Sequence, residues 1–174
     1  MPAFPRPFAA LAALPLLAGC GPELSAQDQA FLDAHNQVRA SAQPAPSPAL
    51  PSLHWSQEAA SLAQQWAGQC TFSHNPNLGD FGENIAAFSP AGSGNPQGVV
   101  QGWAAEAQNY DYATDTCGSI CGHYTQLVWR ATTAVGCGRA TCTAASSPFG
   151  GTRDWELWIC DYDPAGNFVG QKPY

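Results

Sequence analysis

Apolar residues recur at three-and-four spacing in three stretches of this chain, and the pattern gives way to alternation in the last third. Residues 25–41 place Phe31, Ala34, Val38 and Ala42 near helical spacing, with Ser25 set to cap and acidic residues early. Ser56 precedes a second helical pattern carried by Ala59, Leu62, Ala63 and Trp66. Asn95-Pro96 supplies a cap and a first-turn proline for a third, with Val99, Val100, Trp103 and Ala107 as its stripe. Residues 134–142 and 154–162 read as strands, the second setting Trp155, Leu157 and Ile159 against Glu156, Trp158 and Cys160. The turn-rich TAASSPFGGT lies between them. Helices first and strands after predict a layered α+β domain.

Two proline- and glycine-rich stretches, AQPAPSPALP (42–51) and FSPAGSGNP (88–96), are too short to divide the chain. The N-terminus is different in kind. MPAFPRPFAALAALPLLAGC has one cation, Arg6, an apolar run from Phe8 to Leu17, then small residues, so residues 1–19 read as an export signal. The run is too short and proline-interrupted to span a bilayer. Leu17-Ala18-Gly19-Cys20 resembles the lipobox of bacterial lipoproteins, in which the cysteine is acylated and begins the mature chain. On that reading residues 20–27 are a tether and 28–174 one domain, held at a membrane of the cell envelope. Cleavage by an ordinary signal peptidase near the same place is the rival.

The seven cysteines fit this arrangement, because assigning Cys20 to a lipid leaves six: Cys70, Cys117, Cys121, Cys137, Cys142 and Cys160. An even set in an exported chain reads as disulfides. A zinc ribbon from Cys117/Cys121 and Cys137/Cys142 is disfavoured by the spacing and by the oxidising compartment. Six Lys and Arg against thirteen Asp and Glu give a net charge of −7. A nucleic-acid partner would need a clustered basic face, so that class is excluded.

The densest mixture of chemistry is CGHYTQLVW, residues 121–129, and it leaves three roles open for His123: metal ligand, proton carrier or packing residue. Neither His-Glu-x-x-His nor Gly-x-Ser-x-Gly occurs, so two common local signatures of secreted hydrolases are missing. Ser73 with His123 and a glutamate remains an arrangement that only geometry can test.

Gly122-His123-Tyr124-Thr125-Gln126-Leu127-Val128-Trp129 resembles the first signature of the CAP superfamily: cysteine-rich secretory, antigen 5 and pathogenesis-related-1 proteins. His35-Asn36-Gln37-Val38-Arg39 is similar to its HNxxR motif, and Gly82-Glu83-Asn84-Ile85 to its GEN motif. Residues 158–167, WICDYDPAGN, resemble the remaining signature with two departures: Asp161 stands where the pattern has Asn, and Trp158 is bulkier than expected. Both are expected to affect packing beside the strand and not the cleft. With its six cysteines the chain most resembles the plant pathogenesis-related-1 branch.

The resemblance implies a three-layer α-β-α sandwich braced by Cys70–Cys142, Cys117–Cys121 and Cys137–Cys160. It also implies a cleft shared by His74, Glu83, Glu106 and His123. Two imidazoles and two carboxylates suit zinc or another divalent metal with positions left for water. The glutamates are alternatively a second shell that orients the imidazoles, and the four together are alternatively a polar network that only holds helices to the sheet. His35 and His54 are weaker candidates, His35 having a structural role one turn from Arg39.

Binding of an apolar ligand, a lipid or sterol, is the function the family implies, and Phe81, Phe88, Trp103, Tyr110 and Tyr112 lie near the cleft-forming segments. Each of these aromatics is also a candidate core residue. The expected reading is a membrane-anchored binding module of the cell envelope, with a metal-dependent hydrolase as its alternative. A further alternative is carried by residues 164–174, which match the PxGNxxxxxPY pattern of a peptide released from some plant relatives; the competing expectation is that this segment closes the fold.

Overall fold

The computed structural model describes residues 23–174; the expected export signal and Cys20 lie outside the described residues. The first helix, α1 (Ala26–Ala40), starts where the Ser25 side chain accepts from the Asp28 amide at 3.2 Å. It buries Phe31, Ala34 and Val38, with Ala42 buried just beyond its end. The third helix, α3 (Pro96–Ala104), is capped by Asn95 and buries Val99, Val100 and Trp103. It stops earlier than its apolar spacing predicts. The chain tightens into a 3-10 turn over Ala105–Asn109, so Ala107 is exposed and Glu106 sits on the turn instead of on the helix.

Helix α2 (Gln57–Ala67) departs from its expected stripe. Its buried face is Ala59, Ala60, Ala63 and Ala67, while Leu62 and Trp66 are half-buried. The reason lies in the sheet beneath. A Cβ at Gly136 would stand 2.1 Å from the Ala60 nitrogen, and one at Gly138 would stand 2.4 Å from Gln64 Cα. Helix and sheet approach backbone to backbone, so glycines meet alanines and no larger apolar residue fits between.

The sheet has the order β1 (His54–Trp55), β5 (Ala134–Cys142), β6 (Trp155–Asp163), β2 (Gly82–Phe88), with β1 parallel to β5 and the other pairings antiparallel. Strands β3 (Tyr110–Asp111) and β4 (Thr116–Cys117) form a separate small hairpin. In β6 every residue from Trp155 to Tyr162 is buried, although alternation predicts one wetted face. Both faces are covered. Trp155, Leu157 and Ile159 pack with Ala63 and Ala67 of α2. Trp158, Cys160 and Tyr162 pack with Phe31 of α1, Val99 of α3 and Leu127 of the short helix α4 (Gly122–Leu127). The architecture is the three-layer α-β-α sandwich.

Three disulfides brace it, and they join the pairs that the resemblance implies. Cys70–Cys142 ties the segment after α2 to the end of β5, Cys137–Cys160 links directly opposed positions of β5 and β6, and Cys117–Cys121 joins β4 to the residue before α4.

One buried cation organises the helical side. Arg39, 2% exposed, donates from Nη1 to the Leu127 and Trp129 carbonyls, each at 2.9 Å, and from Nε to Pro51 O. Its guanidinium therefore satisfies carbonyls released at the end of α4, where a helix leaves acceptors unpaired. Burial, with Arg130 adding repulsion, pulls its pKa to about 10, so it stays charged at neutrality.

Candidate functional site

The four residues expected at the cleft form two pairs. His74 Nδ1 lies 2.7 Å from Glu83 Oε1, and His123 Nδ1 lies 2.6 Å from Glu106 Oε1. A cavity of about 260 Å³ is lined by His74, Glu83, Asn84, Ile120, Gly122 and His123. It lies at the exposed edge of the sheet, since β2 is the outermost strand there.

Each carboxylate is anchored by the backbone as well as by its imidazole. Glu106 Oε2 accepts from the His123 and Tyr124 amides at 3.0 and 3.3 Å, which makes Glu106 the cap of α4 in the absence of a capping side chain from Cys121. Glu83 Oε1 also accepts from the Asn75 amide at 3.0 Å. With Nδ1 of each ring engaged, Nε2 is the free nitrogen of both histidines. Trp103 stacks on the His123 ring at 6.1 Å and 17°, and donates its own Nε1 hydrogen to Ile85 O.

A polar relay runs from this cleft into the core. Asn84 donates through Nδ2 to the His123 carbonyl and to the Tyr162 hydroxyl, each at 3.1 Å. That hydroxyl in turn lies 2.9 Å from His35 Nε2, while His35 Nδ1 is 2.7 Å from Phe31 O. Phe31 O can only accept, so His35 carries its proton on Nδ1 and accepts from Tyr162 at Nε2. Burial pulls the His35 pKa down to about 4, against a smaller raising effect of the Phe31 bond.

Among the described residues, the trio of ligand atoms gathered within 4.8 Å of one another is His35, Cys137 and Cys160. Its chemistry is wrong for a metal in the oxidised protein: both sulfurs are tied in one disulfide, and both His35 nitrogens are engaged. His54 is exposed on the first strand. Ser73 is exposed too, and among the described residues no serine hydroxyl bonds to His74 or His123.

Asp161, expected beside the strand and not in the cavity, is absent from the cavity lining. It is fully buried and directly opposite Glu83 in the β2–β6 register. The alternation that packs Leu157 and Ile159 against α2 places both carboxylates on that same face of the sheet. Single-residue pattern reading misses this, because the pairing joins positions far apart in sequence.

Of the aromatics near the cleft, Trp103 is a core residue at 3% exposure, and Phe88 and Tyr110 pack on the core from its edge. A larger cavity lies elsewhere. It measures about 510 Å³ between α1 and the α3 end, lined by Val38, Ala42, Gln101, Ala104, Ala107 and Tyr124 among others.

The C-terminal segment is held onto α4. Gly166 N donates to Gln126 Oε1 at 2.8 Å, Asn167 accepts from Thr125 and donates to Gly122 O, and the Arg130 amide donates to Pro173 O. In this structure residues 166–173 close the fold.

Residues 32–162 match the cysteine-rich secretory protein family, CAP. The chain belongs to this family. It is 39% identical to pathogenesis-related protein 1 of Arabidopsis thaliana over 157 residues, which cover 86% of this chain and 84% of that one. It is 35% identical to GLIPR1-like protein 1 of Mus musculus over 83% of its own length, and spans 62% of that longer relative. Among solved structures, that of NaASP2 with Zn2+ superposes with a TM-score of 0.66 at 26% identity, covering 90% of both chains. Family membership fits a binding module, and the family is by its own description secretory.

Proposed function

We propose that this CAP protein is an exported binding module whose cleft holds a divalent metal ion, zinc by its donor set, through Nε2 of His74 and His123. Glu83 and Glu106 orient the two rings from behind. The supporting observation is the paired geometry itself: each imidazole is fixed through Nδ1 by a carboxylate, at 2.7 and 2.6 Å, and both imidazoles line one cavity. That is how metal-binding histidines are usually held in tautomer and direction. Two nitrogen donors would leave the remaining positions of a zinc shell to water, unlike the closed four-ligand shell of a structural site. A metal there would polarise or recruit a ligand entering the cavity. The related NaASP2 has been seen with Zn2+, which agrees with this reading.

The apolar ligand, a lipid or sterol, is assigned to the 510 Å³ groove between α1 and α3, where Val38, Ala42, Ala104 and Tyr124 supply an apolar wall under a glutamine rim. At the N-terminus the expected Cys20 lipid would hold this module at a membrane surface.

Titration calorimetry of the chelator-stripped domain with zinc chloride at neutral pH tests the cleft, with one site expected and lost in His123→Ala. A fluorescent sterol or fatty acid tests the groove, with Ala104→Trp expected to exclude it. No zinc uptake by the wild type removes the metal, and unchanged probe binding in Ala104→Trp removes the groove.

A further inference from the structure

Three buried carboxylate oxygens on two paired strands have no hydrogen-bond partner. Glu83 Oε2 and both oxygens of Asp161 make no hydrogen bond, although the Glu83 side chain is 1% exposed and Asp161 is 0% exposed. The two residues are cross-strand neighbours in register, on the face covered by α2. Directly opposed side chains in a sheet lie within contact range. Two ionised carboxylates in that position would both lose water and repel each other, an arrangement that proteins relieve by retaining a proton.

Among the described residues no Lys or Arg pairs with either carboxylate. On the other flank of Asp161 the register partner is Gly136, which has no side chain. Helix α2 packs on this face of the sheet with alanines as its buried residues, and its one ionisable residue, Glu58, is exposed. On the remaining side lies Glu83, with His74 beyond it on Oε1. Desolvation first, and the Glu83 charge second, push the Asp161 pKa up to about 8.

We propose that Asp161 is a positioning residue of the cleft: as a neutral carboxylic acid it donates a hydrogen bond to Glu83 Oε2, and so holds Oε1 against His74 Nδ1. The single proton satisfies Glu83 Oε2 and removes one of two adjacent charges. Glu83 then keeps its own charge for the imidazole, which a carboxylate orients better than a neutral acid does. Asp161 thereby acts through Glu83 on His74 without reaching the cavity. The arrangement has a built-in limit: once Asp161 ionises, the pair repels and Glu83 is no longer fixed. The inference depends on the reading above only in that His74 is the residue being positioned, and it is tested in metal-free protein, so absence of zinc binding leaves it untouched.

The experiment compares wild type, Asp161→Asn and Asp161→Ala after chelator treatment, by infrared spectroscopy and by ¹⁵N NMR of labelled histidine, across a pH range from slightly acidic to strongly alkaline. The wild type should show a carboxylic-acid carbonyl band at neutral pH that shifts on isotope labelling of aspartate, is missing in Asp161→Asn, and disappears with a midpoint near the pH of about 8 given by its burial. The His74 Nδ1–H signal should broaden or move over that same interval in the wild type. Asp161→Asn, an isostere that always donates, should keep the neutral-pH signal throughout, and Asp161→Ala should lack it at every pH. If Asp161→Ala does not fold, the other two proteins carry the comparison. Absence of an acid band at neutral pH, a band that follows glutamate labelling, or identical His74 profiles in wild type and Asp161→Asn would each overturn the proposal.

Discussion

The Tyr162 hydroxyl stands 2.9 Å from His35 Nε2, joining the first helix to the last strand across 127 residues. Both groups are fully buried, and Asn84 completes the bond pattern of the hydroxyl. Removing the oxygen in Tyr162→Phe leaves His35 Nε2 and one Asn84 hydrogen without partners, which costs about 1–3 kcal/mol. The sign of the pH effect follows from His35. Its folded pKa, about 4, lies below the ordinary 6.5, so its contribution is fully present above pH 6.5 and is lost as pH falls toward 4. Thermal melts of wild type and Tyr162→Phe should show lower stability in the variant at neutrality, and the wild type should weaken over that acid interval. Equal melting temperatures at pH 7 would contradict the bond's importance.

The disulfides should contribute in order of the loops they close. In the chain-entropy account, removing Cys70–Cys142, with a separation of 72, costs about 4 kcal/mol, Cys137–Cys160, with a separation of 23, about 3, and Cys117–Cys121, with a separation of 4, about 2. The buried pair should exceed its share, because Ser at 137 and 160 would place hydroxyls in the core at 4% and 0% exposure. Denaturant titration of the three paired Cys→Ser variants ranks them, and a Cys117/Cys121 variant less stable than the Cys70/Cys142 one would reverse this order.

Much of this fold was legible because local signals agreed with the tertiary result. Ser25, Ser56 and Asn95 each cap the helix that follows, and the two long strands fall within a residue of their expected bounds. What was not legible depends on contacts between distant segments. Strand β2 opens on Gly-Glu-Asn and passes through Ala86-Ala87, residues of low strand propensity, and it exists because β6 pairs along its length. The alanine face of α2 is set by two glycines some seventy residues away. The motifs brought His74, Glu83, Glu106 and His123 to attention, but their division into two His–Glu pairs, and the place of Asp161 behind Glu83, appear only once the strands are in register.

Anchoring can be tested separately from folding. Cys20→Ser should move the mature protein from the membrane to the soluble fraction, because stable attachment needs the acyl chains that only this cysteine would carry. Fractionation at high salt, with mass spectrometry of the N-terminal peptide, reads the result. Membrane retention of Cys20→Ser would exclude the lipid anchor.

The two pairs at the cleft make different demands on Glu106 and His123, and this allows their roles to be separated. Glu106 has both oxygens committed, Oε1 to His123 Nδ1 and Oε2 to the first amides of α4. Its replacement by Gln should therefore weaken zinc by roughly 10–100-fold without abolishing it, as loss of an orienting partner does. It should also cost the domain about 1 kcal/mol as a weakened cap. His123→Ala removes one of two nitrogen donors, so zinc binding should vanish, while Glu106 keeps its bonds to the backbone and the fold is retained. Imidazole must be neutral to ligate, so acidification should release the metal from the wild type. Calorimetry with zinc, paired with circular dichroism, distinguishes the outcomes. If Glu106→Gln loses zinc as completely as His123→Ala while its helix content is unchanged, Glu106 is itself a ligand, and the orienting role assigned to it is wrong.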